Sequence, residues 1–444
     1  MDRHRLWKFL LIFCLAIFAC NLPVVTHTPT APPFPSPVPP ATLPAASSIP
    51  TWAYQPVFEA AACASSVPAG YSPECGYLIV PENRARPDSR LIRLHVAVFR
   101  NRSGIPVRDA VVHLAGGPGS SSLDVAGYMF GQGLGAVLER HDLVLFDQRG
   151  TGFSQPRLDC PEREQLTPLL LNGSMTVEQN QQSIREAFRR CREQLVAQGI
   201  DISAYHSVAS AADLNDLRLA LGYETLNLYA VSYGTRLALT VMRDNPQIVR
   251  SAVFDSAYPL QVNLYTALAP NAERAFSVFF DRCAADPSCS AAYPDLRAVF
   301  YGLVDELNAR PVPVSLAAGG AEQTVRVDGD LLIDVLFVGL YNPAVTASMP
   351  RMIDEIRQGE YGILRRRLAL YFDTGSALGM QMAVQCAEEI PFSTPEEAYA
   401  AAQGVQPQIA AFYPMNVQPL FAICEDWATS LPDPRENQPV FSDV

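Results

Sequence analysis

Lysine is all but missing from this chain: of 444 residues only Lys8 is one. A lysine partner for a serine nucleophile is therefore absent beyond the first ten residues. The formal net charge is −12, the arginines are scattered, and no basic stripe offsets the acidic balance. That excludes nucleic acid as a partner. Histidine is sparse as well, with His4, His27, His95, His113, His141 and His206 the whole complement. From Asn21 to Phe58 there is no Asp, Glu, Lys or Arg, and eleven prolines punctuate Ala, Thr and Ser. Such a stretch cannot bury a core and reads as an extended, polyproline-like tether over residues 21–58. No cysteines stand in C-x-x-C spacing, so a structural zinc or dithiol redox site is not expected.

What is present begins with an export signal over residues 1–20. Arg3, Arg5 and Lys8 precede an apolar run from Phe9 to Ala19 that falls short of the roughly 20 residues needed to span a bilayer. Ile17-Phe18-Ala19-Cys20 resembles the lipobox of bacterial lipoproteins, which implies lipidation of Cys20 and attachment to the outer side of a membrane. Plain secretion is the alternative. Eight cysteines follow the leader, and an even number in an exported chain favours disulfides. Their clustering suggests local bridges: Cys63 with Cys75, Cys160 with Cys191, Cys283 with Cys289, and Cys386 with Cys424.

With 49% apolar residues the chain can bury a large core. Residues 76–81 and 91–99 read as two strands, with His95 in the second and its ring partly exposed. Short apolar runs over 110–114, 143–146 and 226–229 each end in a special loop, and 248–254 looks like a further strand. Helical stretches over 208–221 and 235–243 interleave with them. This pattern predicts an α/β fold with a doubly wound, parallel sheet and chemistry at the carboxyl ends of the strands. The core is expected over 59–261. Beyond it, 264–285, 292–308, 328–341, 344–358 and 361–372 read as helices without a clear strand, an inserted cap over 262–438. Residues 439–444 turn apolar and extended again.

The third apolar run leads into Ala230-Val231-Ser232-Tyr233-Gly234-Thr235. Small residues flank Ser232, as a sharp strand-to-helix turn carrying a nucleophile requires. The first run leads into Gly116-Gly117-Pro118-Gly119, a loop able to bring an unobstructed N–H to a developing oxyanion. Pro118 has none, so the expected donors are Gly117 and Tyr233, aided by a helix beginning at the loop. A serine hydroxyl still needs a base, and in this architecture the order is Ser, then Asp or Glu, then His. No histidine follows Ser232.

Taken in order, Gly116-Gly117-Pro118-Gly119, Asp147-Gln148-Arg149-Gly150-Thr151-Gly152 and the Ser232 turn resemble the prolyl iminopeptidase and tripeptidyl aminopeptidase group of α/β-hydrolases. Gln385-Cys386-Ala387-Glu388 and Cys424-Glu425-Asp426-Trp427 are similar to its exported, tripeptidyl-aminopeptidase-like branch. The resemblance implies a serine peptidase with Ser232 as nucleophile, Gly116, Gly119, Asp147 and Arg149 supporting the loops, and neither metal nor organic cofactor. It also implies that the catalytic acid and histidine lie beyond these 444 residues, so that this chain is a truncated, inactive form. His113, set apart from the glycine loop by Leu114-Ala115, is expected to be structural. An enzyme acting on a free N-terminus needs a negative group for the ammonium, for which Glu388 and Glu389 are the candidates. An esterase or other acyl hydrolase, and a tethered, non-catalytic peptide-binding protein, are the alternative readings.

Overall fold

In the computed structural model, the structure describes residues 54–372, 375–427 and 433–443. The signal, Cys20 and most of the tether lie outside them. Among the described residues there are nine strands: β1 (Val57–Ala60), β2 (Glu74–Pro81), β3 (Leu91–Phe99), β4 (Asp109–Leu114), β5 (Asp142–Phe146), β6 (Thr225–Val231), β7 (Val249–Asp255), β8 (Val312–Ala318) and β9 (Ala321–Val327). The first seven form one sheet in the order β1-β2-β3-β5-β4-β6-β7.

The sheet is mixed rather than wholly parallel. β1, β2 and β3 run antiparallel to their neighbours, whereas β5, β4, β6 and β7 run parallel. The central strands are the continuous apolar runs of the sequence because helices and loops cover both faces. Leu114, Val144, Phe146, Leu228 and Ala230 are all buried in one core with Leu214, Leu217, Leu237 and Val241 from the helices Ser207–Leu221 and Tyr233–Asp244. In β4, β5 and β6 the carboxyl ends share one side of the sheet, since Leu114 pairs with Ala230 and His113 with Leu145. The special loops are thereby gathered together.

Residues 264–372 and 375–427 are mainly helical and build a core of their own, in which Phe276, Phe300, Leu332, Leu336 and Ile353 are buried. The sequence reading missed one element there. β8 and β9 form an antiparallel hairpin, with Val314, Leu316, Val325 and Val327 buried and the glycines Gly319 and Gly320 at positive φ in its turn. Residues 439–443 adopt no strand: Val440 packs on the sheet core, and Phe441 is 89% exposed.

All four expected disulfides are formed: Cys63–Cys75, Cys160–Cys191, Cys283–Cys289 and Cys386–Cys424. Such a set fits an oxidising, extracytoplasmic compartment. The helix Val177–Ala197, inserted between β5 and the helix Ser207–Leu221, reaches the cap, where Phe188 meets Trp427 edge-on. Among the described residues no helix is long and apolar enough to cross a membrane.

Candidate active site

β6 stops at Val231 and the next residue is held where few non-glycine residues go. Ser232 has φ 54° and ψ −122°, a conformation costing on the order of 1–3 kcal/mol. Three hydrogen bonds hold the turn. Ser232 N–H donates to the Asp255 carbonyl at 2.9 Å, and its own carbonyl accepts from Thr235 N–H at 2.8 Å and from the Thr235 hydroxyl at 2.7 Å. The small residues have a steric reason: a Cβ at Gly234 would overlap the Leu114 carbonyl oxygen, so the helix Tyr233–Asp244 can start only by pressing bare backbone against the end of β4. The hydroxyl of Ser232 is half-buried. As the first helical residue, Tyr233 has no intrahelical acceptor for its N–H.

The end of β4 continues into the glycine loop. Gly117 and Gly119 both have φ 109°, and among the described residues no acceptor takes the Gly117 N–H. Gly119 lies beneath the cap: its carbonyl accepts from Ala377 N–H at 3.0 Å, and a Cβ there would lie 2.7 Å from the Ala377 oxygen. One expectation fails here. The next helix begins only at Ala126, so it adds no dipole at the loop, and the helix at Tyr233 is the one that points its amino end into the site. Residues 120–124 are held instead as an irregular turn by side-chain bonds.

Asp147 makes those bonds. It accepts from the Ser121 hydroxyl at 2.8 Å, Leu123 N–H at 3.3 Å and Phe153 N–H at 2.8 Å, tying the glycine loop to the loop after β5. Burial pushes its carboxyl up to about 7 against these bonds. The Gln148 side chain donates to the Ala115 carbonyl at 2.9 Å. Arg149, fully buried, pairs with Asp213 and donates to the carbonyls of Glu82 and Ala204 at 2.7 Å each. Asp147 and Arg149 therefore brace the loops through buried contacts.

No described side chain accepts a hydrogen bond from Ser232, and every described histidine is engaged elsewhere. His113 Nδ1 lies 3.0 Å from the Ser122 hydroxyl, its ring packs on Tyr229, and burial pushes its pKa down to about 4. His141 pairs with Asp109. His206 caps the helix Ser207–Leu221 by accepting from Ala209 N–H, and burial lowers it to about 4. His95 is fully buried, not partly exposed: it accepts from Ala64 N–H and sits against Tyr77 and Phe153, because β1 and the Cys63–Cys75 segment cover that part of the sheet. Among the described residues no three His, Cys, Asp or Glu side chains are grouped to hold a metal ion.

Glu388 and Glu389 are both buried behind the Ser232 turn. Glu388 accepts from the N–H and hydroxyl of Ser207, and the same hydroxyl lies 2.8 Å from the Tyr233 hydroxyl. Arg236, one turn beyond Ser232, stands 2.6 Å from Glu389 and 3.5 Å from Glu388. It also donates to the backbone carbonyls of Glu388 and Glu436. Burial raises both carboxyls above their ordinary value and outweighs the opposing pull of Arg236. Sequence reasoning missed Arg236, Ser207 and Glu436. Only Arg236 left a signal, a charge inside an otherwise apolar helix.

A strained serine between strand and helix, beside a glycine loop at the same end of a parallel sheet, is the local structure of one fold in particular. Residues 109–288 match the family model described as alpha/beta hydrolase fold. That span of the chain has the α/β-hydrolase fold. It is 30% identical over 269 residues to serine protease Hip1 of Mycobacterium tuberculosis (strain H37Rv), covering 57% of this chain and 50% of that protein. It is 31% identical over 191 residues to tripeptidyl aminopeptidase of Streptomyces lividans, covering 41% and 35%. A putative hydrolase, YuaR, of Escherichia coli is 24% identical over 341 residues, covering 72% and 64%. The match to Hip1 thus spans half of that protein's length.

Proposed function

We propose that this chain is a hydrolase of the α/β-hydrolase family, directed at peptides and acting near a free N-terminus, with Ser232 as nucleophile. The observation that supports this most is the pairing of the strained Ser232 turn with two N–H groups that have no acceptor among the described residues, those of Gly117 and Tyr233. Attack of the Ser232 oxygen on a carbonyl would move negative charge onto the carbonyl oxygen, and these donors, already fixed, would accept that charge without reorganising. The helix amino end behind Tyr233 favours the same charge. Glu388 and Glu389 are the proposed holders of the substrate ammonium: two buried carboxylates share the single guanidinium of Arg236, which leaves negative potential beside the site.

Among the described residues Ser232 has no proton acceptor, so the 444-residue chain is proposed to be inactive or nearly so. Losing the base costs on the order of 10⁴ to 10⁶ in rate while the oxyanion donors keep a residue of catalysis. The engagement of every described histidine elsewhere equally favours a second reading, a non-catalytic peptide-binding protein. One experiment separates them. Purified chain and Ser232→Ala are given tripeptides ending in a chromogenic amide, with free or acetylated N-termini, and both turnover and binding are read. Slow turnover that Ser232→Ala abolishes and acetylation suppresses supports the enzyme. Binding of the free-amine peptide without any Ser232-dependent turnover supports the binder. Equal turnover of both peptides removes the aminopeptidase character and leaves an acyl hydrolase or esterase. Ordinary enzyme rates would overturn the missing-base argument.

A further inference from the structure

The cap carries a run of positive charge that has no carboxylate partner among the described residues. The helix Gly362–Leu368 buries Ile363, Leu364 and Leu368, exposes Arg365 and Arg366, and leaves Arg367 half-buried. Among the described residues no carboxylate lies within ion-pair distance of any of the three. The preceding helix behaves differently: Arg351 pairs with Glu355 at 2.9 Å and Arg357 with Asp354 at 2.7 Å. The Arg367 Nε is buried without a hydrogen-bond partner, and burial together with Arg366 pushes its guanidinium below its ordinary value. Three adjacent like charges repel one another, and acidic residues outnumber basic ones 45 to 33 in this chain, so local counterions would have been easy to supply.

The position of this helix ties it to the site. It runs into the 3-10 turn Ala369–Phe372, and residues 375–379 then dock on the catalytic loops: Gly375 accepts from Arg157, Ala377 donates to Gly119, and Gly379 donates to Leu158. Ten residues separate Arg367 from Ala377. Even fully extended they span no more than about 35 Å, and the 3-10 turn, at about 2 Å per residue, shortens that reach. An extended peptide of about nine residues covers it.

We propose that Arg365, Arg366 and Arg367 form a distal subsite that reads acidic side chains of a peptide whose reactive end lies at Ser232. This inference rests on the peptide-directed reading of the site. Guanidinium groups suit it because their planar donor fork matches a carboxylate in two hydrogen bonds. A membrane surface is the poorer fit, since recognition of anionic lipid uses clusters of about 4–8 basic residues.

The test uses the 444-residue chain and ten-residue fluorescent peptides with four Asp or Glu, or four Asn or Gln, in the half remote from the N-terminus. Each peptide is made with a free and with an acetylated N-terminus. Exposed ion pairs are individually weak, and three together should make the acidic peptide bind about threefold tighter or more at low salt. That preference should shrink in high salt and vanish in Arg365→Gln/Arg366→Gln. In Arg365→Glu/Arg366→Glu it should reverse toward a lysine-bearing peptide. Circular dichroism of both variants should match the parent, since the two side chains are exposed. The subsite predicts the acidic preference for free and acetylated peptides alike, so loss of amine recognition alone would overturn the aminopeptidase reading and leave the subsite standing. Equal affinity for acidic and neutral peptides would overturn it, as would an acidic preference that survives charge reversal. Capture of the parent but not the variants by phosphatidylglycerol vesicles, without a peptide preference, would also overturn it in favour of a lipid-facing surface.

Discussion

Arg236 and Glu389 approach to 2.6 Å, and neither side chain is more than 5% exposed. One belongs to the helix that starts just after Ser232, the other to the cap, so this ion pair is a buried joint between the two parts of the molecule. Its surroundings are charged on several sides. Glu388, Glu436 and the ring of Tyr258 face the same guanidinium.

Arg236→Met removes the only positive partner that Glu388 and Glu389 have among the described residues. It should destabilise the chain by about 3–5 kcal/mol, because two carboxylates are then left buried without a cation. Urea unfolding at pH 7 measures the loss. A change below about 1 kcal/mol would mean that the pair is not desolvated in solution.

Asp147 should make stability depend on pH in a recognisable direction. Its carboxyl is raised by burial from 3.8 to about 7. Below 3.8 both folded and unfolded chains hold the proton; between 3.8 and 7 the folded chain binds more, so stability falls as pH rises. His113 and His206, lowered from 6.5 to about 4, act oppositely: their contribution is present above 6.5 and is lost as pH falls toward 4. The parent's profile is therefore flattened by cancellation. Asp147→Asn removes one side of it and should gain on the parent by up to about 4 kcal/mol between pH 4 and 7, read by urea unfolding at three pH values. Parallel profiles would place the titration elsewhere.

Ser232→Gly should raise stability. Glycine tolerates φ 54° without a Cβ penalty, and the gain, net of glycine's greater unfolded-state entropy, is about 1 kcal/mol. A shift of the denaturation midpoint to higher urea, with any residual turnover lost, is the expected result. A lower midpoint would show that the serine turn is unstrained.

The Cys386–Cys424 bridge closes a separation of 38 residues. Replacing both by serine should cost about 4 kcal/mol by the chain-entropy argument. The loss should be confined to conditions in which the parent's bridges are intact, so the two proteins should converge under strong reductant.

These features were legible in the sequence to different degrees. The strands β4, β5 and β6 stand out because burial on both faces demands an unbroken apolar run, and the Ser232 turn because only small residues fit against Leu114. The four disulfides followed from proximity along the chain. What escaped depends on contacts between distant segments. Arg236 lies 153 residues from Glu389 (389 − 236), and no local pattern announces that a cation in one helix neutralises acids in another. His95 looks like a half-exposed strand residue until the Cys63–Cys75 segment is folded over it. The β8–β9 hairpin did leave a local trace, alternating Val314, Leu316 and Ala318 before a Gly-Gly turn, which the surrounding helices obscured.

The hydrogen bond from Ala377 to Gly119 has a mechanical consequence. Because Gly119 is two residues from Gly117, the cap and the glycine loop cannot separate without the loop losing a support on its far side. A ligand that entered by lifting residues 375–379 would loosen the backbone around the proposed Gly117 donor, whereas one threading in with that contact intact would meet it rigid. Access route and loop rigidity are coupled through this backbone bond, so hydrogen exchange at the Ala377 amide reports on both at once.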